Sequence, residues 1–166
     1  SGGNPTPVAY WNMDETSGLT LHDQVGGHDG HSLGKSYSKS DLDLDDSSAK
    51  SSMNTSAEFK DDDRQYIEVT SSADLKPASG SLTLWFNSDE NNDGTLASTD
   101  SSGLHNGDLN LSINSSGHLE FKLQDTGGTH TISGGTVTKD QWSQVTVSWG
   151  EGGMKIYQNG QVVASN

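Results

Sequence analysis

A short run of acids and amides, Asp89-Glu90-Asn91-Asn92-Asp93-Gly94, is the most specific chemical pattern in the sequence. Asp89, Asn91 and Asp93 stand at its first, third and fifth positions, and the glycine allows a sharp turn at the sixth. Calcium is a hard cation that binds about six to eight oxygen atoms, which side chains at alternate loop positions can supply. Asp100 lies eleven residues after Asp89, where an EF-hand places a bidentate glutamate. The spacing therefore predicts a calcium site at Asp89, Asn91, Asp93 and Asp100.

The same run also fits a polar connection that holds no metal. Asn92-Asp93-Gly94 supplies common turn residues, and the pattern predicts strands rather than helices on either side. A sequence this rich in Asp and Asn also produces chance matches to calcium patterns. A second acidic group is predicted to be a solvated loop; it comprises Asp41, Asp43, Asp45 and Asp46.

Patterns for nucleophilic or transition-metal catalysis are missing from the sequence. There is no cysteine, which excludes disulfides and thiolate chemistry, and no Gly-x-Ser-x-Gly elbow accompanies the many serines. The histidines include no His-x-x-x-His pair. His28 and His31 flank Asp29 in a glycine-rich turn, where we expect surface histidines; the alternative is a metal site.

The balance of charge is strongly acidic, with 23 Asp and Glu against nine Lys and Arg and a net charge of −14. Such a field repels nucleic acid and anionic membranes, and no basic patch relieves it. No apolar stretch approaches the roughly 20 residues of a spanning helix, so membrane insertion is not expected. A domain without cysteine favours an exported bacterial protein over an extracellular eukaryotic one. The acids suit a calcium-rich setting, although solubility alone would also account for them.

Short runs with apolar residues at every second position dominate the chain and predict β-strands. The clearest runs span residues 81–86, 108–114, 118–123, 142–149 and 154–158. In the run 142–149, Trp149 lies on the predicted buried face with two valines, and Trp142 lies on the opposite face. Asn114–Gly117 and Asn159-Gly160 predict hairpin turns between runs. The pattern predicts an all-β fold, a two-layer antiparallel β-sandwich.

The first half of the chain carries weaker signals. Residues 8–13 predict an opening strand, and residues 57–60 and 66–70 predict strands on either side of the turn Asp61–Asp63. Residues 35–56 are polar and predict a long loop or an irregular edge. We expect one domain over residues 8–166, preceded by a linker or cloning remnant at residues 1–7.

Several segments together resemble the concanavalin A-like lectin/glucanase superfamily in its laminin-G-like, pentraxin-like form. These segments are AYWNMDETSG (9–18), DQVGGHDG (23–30), AEF (57–59), YIEV (66–69), SLTLWF (81–86), WSQVTVSW (142–149) and IYQNG (156–160). Each is weak alone, whereas their order and spacing are specific. The resemblance implies a jelly-roll sandwich that covers roughly residues 8–165.

The resemblance also implies metal ligands. Calcium-binding relatives often use an acid at the start of the strand after a small hairpin, a position that falls on Asp108, with Asn106 as its companion. Asp14, Asp23 and Asp63 lie in glycine-rich turns, where such residues of the superfamily bind a structural ion or tie loops together. The alternative for Asp108 is a strand cap.

The resemblance further implies what a catalytic member would carry. Glycosidases of this fold use Glu-x-Asp-x-x-Glu on one strand, so that acid and nucleophile flank the glycosidic bond. None of the six glutamates begins that pattern, and Glu120 is followed two residues later by Lys122. We therefore expect a protein that is not an enzyme.

The expected function is that of a binding or adhesion module assisted by calcium. We expect it to be secreted or on the cell surface. A glycan is the expected ligand, and a protein is the alternative. Sugar sites need aromatic platforms and planar polar groups. Alternation predicts that most of the four tryptophans are core, which leaves Tyr37, Tyr66 and His105 as exposed candidates. A structural spacer in a large surface protein and a polysaccharide hydrolase fragment are the other interpretations.

The last predicted hairpin lies close to Asn166. Relatives continue past this hairpin with strands that close the sandwich. Either the domain is compact, or another segment or chain completes it. An uncovered sheet edge would favour aggregation, so we hypothesise that a partner segment covers it.

Overall fold

The computed structural model describes residues 6–15, 18–34, 43–45, 55–60, 64–100 and 103–166. In these residues the secondary structure is antiparallel β-sheet apart from one 3₁₀ helix, Ala73–Leu75, so the predicted all-β fold is confirmed. No helix of the described residues has the length and apolar character to cross a membrane. The chain divides into two compact units, residues 1–75 and 76–166.

The first unit contains five short strands in its described residues. They are β1 (Thr20–Leu21), β2 (Gly30–Leu33), β3 (Asp43–Asp45), β4 (Ser56–Glu58) and β5 (Tyr66–Val69). One sheet has the order β1-β2-β5, and β3 pairs with β4 in a separate ladder. The strand β3 lies where a loop was predicted, while the rest of residues 35–54 lies outside the described residues.

The predicted opening strand at residues 8–13 is wrong. Trp11 forms a single isolated bridge with Asp23, and no ladder extends from it. Side-chain bonds hold this segment instead, because the indole N–H of Trp11 donates to the carbonyl of His28 at 2.8 Å. Alternation alone could not distinguish a strand from an extended segment anchored in this way.

In its described residues the second unit contains eight strands, which form two four-stranded sheets. They are β6 (Gly80–Phe86), β7 (Gly94–Ser98), β8 (Leu109–Ile113), β9 (Leu119–Asp125), β10 (Gly128–Gly134), β11 (Ser143–Trp149), β12 (Lys155–Gln158) and β13 (Gln161–Ser165). The orders are β10-β9-β8-β7 and β13-β12-β11-β6, with every pair antiparallel. The predicted sandwich is therefore confirmed.

The core of this unit forms between the inward faces of its two sheets. Phe121 of β9 lies 5.9 Å from Trp149 of β11 between ring centroids, in a tilted contact. Alternate residues of β8 and β11 are buried, as their period-two pattern predicts. The buried cluster comprises Phe86, Leu109, Leu111, Ile113, Leu119, Phe121, Ile132, Val137, Val145, Val147, Trp149, Met154 and Ile156.

Both predicted hairpins of this unit are confirmed. Asn159 and Gly160 have φ angles of 51° and 82°, the left-handed pair of a type I′ turn, and Gln158 pairs directly with Gln161 across it. In the other hairpin, Gly117 donates its N–H to the carbonyl of Asn114 at 2.9 Å.

The edge strands of the two sheets approach each other on one side. A Cβ added to Gly134 of β10 would lie 2.3 Å from the carbonyl oxygen of Val163 in β13, so only glycine fits there. The strand β13 is at the edge of its sheet. Pairing of a partner segment with β13 stays a prediction.

Candidate functional site

The turn before β8 places Asp108 at the rim of the second unit, which is the position assigned to calcium. Gly107 has a φ of 89°, and Asp108 donates its N–H to the carbonyl of His105 at 2.8 Å. The N–H of His105 donates in return to Oδ2 of Asp108 at 2.8 Å. These two bonds close the turn and direct the carboxylate inward, where Asp108 is only 3% exposed.

The carboxylate of Asp108 is occupied by protein donors. Lys76 Nζ lies 2.7 Å from Oδ1, and the hydroxyl of Thr99 lies 3.4 Å from the same oxygen. His105 Nδ1 lies 3.4 Å from Oδ2. Burial raises the pKa of Asp108, but the hydrogen bond from Lys76, the N–H of His105 and the charge of Lys76 outweigh it and hold the pKa below its usual range. Asp108 is therefore ionised and neutralised by an ammonium group.

This donor set does not fit calcium. A calcium ion needs oxygen ligands on all sides, whereas Asp108 faces an ammonium group and the backbone N–H of His105, which repel a cation. The proposed companion Asn106 is exposed at the tip of the turn, and His105 is 69% exposed by its side chain. The arrangement instead fits a buried ion pair that fastens the turn.

The Asp89–Gly94 loop and Asp100 lie at opposite ends of β7. At about 3.3 Å per residue, the five residues of β7 put about 16 Å of extended chain between Asp93 and Asp100. The structure thus does not bring these predicted ligands together. Nowhere in the described residues do three or more His, Asp or Glu side chains group as a metal site. Calcium at Asp89, Asn91 and Asp93 stays a prediction.

Asp23 of the first unit ties backbone together rather than facing solvent. Its Oδ1 accepts the N–H groups of Tyr10 and Val25 at 2.8 and 3.0 Å, and its Oδ2 accepts those of Gly26 and His28, both at 2.9 Å. The side chain is fully buried. Burial raises its pKa, but the hydrogen bonds from the backbone and from the His28 ring prevail and hold the pKa far below the ordinary value. Of the two roles implied for such residues, the contacts match loop tying.

His28 bridges this carboxylate to a second one. Its Nδ1 lies 3.0 Å from Oδ2 of Asp23, and its Nε2 lies 3.1 Å from Oδ2 of Asp74. The hydroxyl of Ser72 also lies 3.5 Å from Nε2. A serine, a histidine and an aspartate stand in a row here, but a carboxylate on each ring nitrogen favours the imidazolium, which cannot accept a proton from Ser72.

The remaining predicted residues of the first unit that the structure describes are Asp14 and Tyr66. Asp14 accepts a hydrogen bond from the amide of Asn12 at 3.2 Å and is not part of the Asp23 contacts. Tyr66 begins β5 and is half-buried with its hydroxyl away from solvent, so the expectation of an exposed ring is wrong. Asp63 and Tyr37 lie outside the described residues.

The tryptophans differ from the prediction that most of them are core. Trp149 is buried and donates its indole N–H to the carbonyl of Pro77 at 3.0 Å, whereas Trp11, Trp85 and Trp142 are half-buried. Trp142 lies just before β11 on its polar face, as the alternation predicts. In the described part of the chain, the indole N–H of Trp142 has no acceptor.

A cleft of about 450 Å³ opens beside Trp142, between the segment that leads into β11 and the β12–β13 hairpin. We call it the Trp142 cleft. Its lining comprises Thr136, Thr138, Gln141, Trp142, Ser143, Gln158, Asn159, Gln161 and Val163. It combines one indole ring with four amides and three hydroxyls. Such a surface can stack on an apolar face and hydrogen-bond to hydroxyl groups.

Gln158 joins the two walls of the Trp142 cleft. Its amide nitrogen donates to the carbonyl of Thr136 at 2.8 Å and to the hydroxyl of Ser143 at 3.2 Å. Its amide oxygen accepts the N–H of Thr136 at 3.2 Å. On the hairpin, Asn159 accepts the N–H of Gln144 at 2.8 Å. These bonds fix the walls before any ligand arrives.

Comparison with known proteins decides the family. Residues 61–166 match the laminin-G-like family model described as the concanavalin A-like lectin/glucanases superfamily. The chain belongs to this superfamily. Among solved structures, this concanavalin A-like chain resembles the 2.1 Å crystal structure of an S-layer domain-containing protein (residues 221–444) from Clostridium thermocellum ATCC 27405. The TM-score is 0.57 at 19% identity, over 95% of this chain and 71% of the other.

The likeness to the S-layer domain-containing protein shows that the two chains share a fold. A search of curated proteins finds no match. No curated relative therefore indicates a ligand site for this superfamily member, and its own residues are the basis for one.

Sequence reasoning about this concanavalin A-like domain missed Trp142 as a binding residue. The signal was present, because Trp142 shares the polar face of β11 with Gln144, Thr146 and Ser148. A large aromatic ring on a polar strand face is unusual enough to mark a site. The amides around it come from a hairpin whose position follows only from the sheet order.

Proposed function

We propose that this protein is a non-catalytic glycan-binding module of an exported or cell-surface bacterial protein, with its binding site at the Trp142 cleft. One arrangement carries the proposal: a half-buried indole with an unused N–H lies among amides and hydroxyls. Aromatic rings stack on the apolar faces of sugar rings, and planar amides pair with sugar hydroxyls. Because Gln158 fixes the walls, the cleft loses little conformational freedom on binding.

The lining of the cleft favours an uncharged glycan. All nine lining residues are neutral, although the whole chain carries 32 charged side chains and a net charge of −14. Uronic, sulfated or sialylated sugars would meet no cation in the cleft and would be repelled by the net negative charge of the chain. Neutral hexose chains meet neither penalty.

The same lining argues for binding rather than hydrolysis. Glycosidases of the ordinary kind need two carboxyl groups about 5 to 10 Å apart across the bond that they cleave. None of the residues that line the Trp142 cleft is Asp or Glu. A glycan held there would have neither a proton donor nor a nucleophile beside it.

Two observations support an exported or surface location. The sequence contains no cysteine, which favours an exported bacterial protein over an extracellular eukaryotic one, since small extracellular eukaryotic domains often carry disulfides. The structural neighbour is named as an S-layer domain-containing protein. A protein ligand at the same cleft is the alternative that the experiment below distinguishes.

A glycan array followed by calorimetry tests the proposal. We expect neutral glycans to bind and Trp142→Ala to weaken that binding by about tenfold or more, since an aromatic stacking contact is worth about 1 kcal/mol beyond the area it buries. Tyr10→Ala is the matched control, because Tyr10 is another aromatic residue, 52% exposed, in the first unit. No bound glycan, or equal binding by Trp142→Ala, would refute the proposal.

Calcium assistance is a separate proposal, confined to the Asp89–Gly94 loop. Asp89, Asn91 and Asp93 offer oxygen ligands at alternate positions, and Asp93 adopts a φ of 34° that bends the loop. Calcium there would stabilise the folded unit by mass action without contributing to the cleft.

A further inference from the structure

The ion pair between Lys76 and Asp108 stands where the family resemblance placed a metal. Asp108 is 3% exposed, and its Oδ1 lies 2.7 Å from Lys76 Nζ. The side chain of Lys76 is only 33% exposed, so its stem is partly covered. The pair is therefore a largely enclosed one rather than a surface contact.

Every oxygen of the Asp108 carboxylate has a protein donor. Oδ1 receives Lys76 and the hydroxyl of Thr99, and Oδ2 receives the backbone and ring nitrogens of His105. An ammonium group brings one positive charge and three donors, so Lys76 both neutralises the carboxylate and hydrogen-bonds to it. The charge balance of the turn is thus complete within the chain.

The backbone around Lys76 holds its side chain in place. Lys76 directly follows the 3₁₀ helix Ala73–Leu75 and precedes Pro77, which restricts the preceding residue to extended conformations. The carbonyl of Pro77 accepts the indole N–H of Trp149 from the core at 3.0 Å. Lys76 is therefore anchored one residue away from the buried cluster of the second unit.

We propose that the Lys76 ammonium is the resident cation of the Asp108 turn and takes the place that calcium has in metal-binding relatives. The conformation of the turn then depends on Lys76 and not on the calcium concentration around the protein. A divalent ion at Asp108 would have to displace Lys76 first, because the ammonium lies 2.7 Å from the enclosed carboxylate, already neutralises it and would repel a second cation. The proposal does not depend on the glycan site.

Thermal melting of the full chain with chelator and with millimolar calcium tests this assignment. The variants are Lys76→Met, Lys76→Arg, Asp108→Asn and the double variant Lys76→Met/Asp108→Asn. We expect calcium to change the Tm of wild type, Lys76→Arg and Asp108→Asn by the same amount, because all three keep the Asp89–Gly94 loop and none offers a free carboxylate at position 108. We expect Lys76→Met to melt several degrees lower in chelator, because it leaves a buried carboxylate unpaired.

Beyond the calcium response of the wild type, calcium should then restore part of the loss in Lys76→Met and none of it in the double variant, since only the former keeps a free carboxylate at the turn. A calcium-induced rise in wild-type Tm that disappears in Asp108→Asn would overturn the proposal, as would a Lys76→Met protein that calcium does not help. If Lys76→Met does not fold, the calcium-induced change in Tm of wild type and of Asp108→Asn still shows whether calcium binds at Asp108. Glycan binding is not part of the readout, so failure here leaves the Trp142 cleft untouched.

Discussion

The imidazole of His28 lies 3.0 Å from the carboxylate of Asp23 and is only 12% exposed. Its other nitrogen faces Asp74 at 3.1 Å, so one ring joins two acids that are 51 residues apart in the sequence. The hydrogen bond to Asp23 raises the pKa of His28 above its ordinary 6.5, burial opposes this, and the charge of Asp74 adds to the rise. The folded first unit therefore favours the protonated form of His28.

Stability should fall as the pH rises above neutrality. A group whose pKa is raised by folding contributes its full stabilisation below its unfolded value, 6.5 here, and loses it as the pH passes through the raised value. Urea unfolding between pH 6 and 9 measures the slope (about the range over which a shifted histidine titrates). His28→Gln should flatten that slope, and His130→Gln, at an exposed histidine of the second unit, should not. An unchanged slope in His28→Gln would contradict the assignment.

Removal of the Asp23 carboxylate should loosen the turns of the first unit. Asp23→Asn replaces one acceptor oxygen by an NH₂ group that faces N–H donors, and an unpaired buried donor is costly. Hydrogen exchange should accelerate at Tyr10, Val25, Gly26 and His28. Asp14→Asn serves as the control, because Asp14 accepts its bond from a side chain and not from the backbone. Equal exchange in both variants would show that Asp23 does not hold the turns.

Gln158 should act on binding through the shape of the Trp142 cleft. Gln158→Ala removes three hydrogen bonds between its walls, which should cost about 1 to 3 kcal/mol of unfolding free energy. Glycan affinity should fall further than stability alone explains, because the loosened walls must be ordered on binding. Calorimetry and urea unfolding measure the two effects. Gln161→Ala is the control, because Gln161 lies on the exposed rim and its loss leaves the Gln158 bonds between the walls in place.

Phe121→Ala should destabilise the sandwich by about 3 to 5 kcal/mol, since it opens a cavity at a fully buried ring that contacts Trp149. The exposed Thr131→Ala, on the neighbouring strand β10, should change stability by less than about 0.5 kcal/mol. Denaturant unfolding compares the two. A small effect of Phe121→Ala would contradict the packing of the two sheets.

Calcium should raise the Tm of the wild type only through the Asp89–Gly94 loop. The double variant Asp89→Asn/Asp93→Asn should abolish that rise, while Asp100→Asn should keep it, because β7 separates Asp100 from the loop. Differential scanning calorimetry with and without chelator measures both. If calcium does not change the Tm of the wild type, the Asp89–Gly94 loop is a turn without a calcium site.

The sequence predicted the second unit better than the first for a physical reason. Period-two alternation is strong in β8 and β11, where one face is buried, so strands and hairpins there were predicted correctly. The strand β10 has Ile132 as its one large apolar residue and gave no such signal. In the first unit the strands are short, and side-chain bonds such as those of Asp23 hold the turns, which alternation does not encode.

The candidate site was predictable only in part. Alternation placed Trp142 on a polar face, but the Gln158 and Asn159 amides reach it through the order of β11, β12 and β13, which spacing alone does not give. The resemblance located the Asp108 turn, yet nothing in local sequence indicated that Lys76, 32 residues earlier, would neutralise it. Pairings over such separations are decided by tertiary structure.

The close approach of Gly134 to Val163 has a consequence for solubility. Edge strands usually need a charge or a proline to keep neighbouring molecules from extending the sheet. Gln161–Ser165 carries neither, but β10 of the facing sheet stands against it at Gly134. A larger residue at position 134 would push the two edges apart and should leave a neutral, valine-containing strand available for self-association.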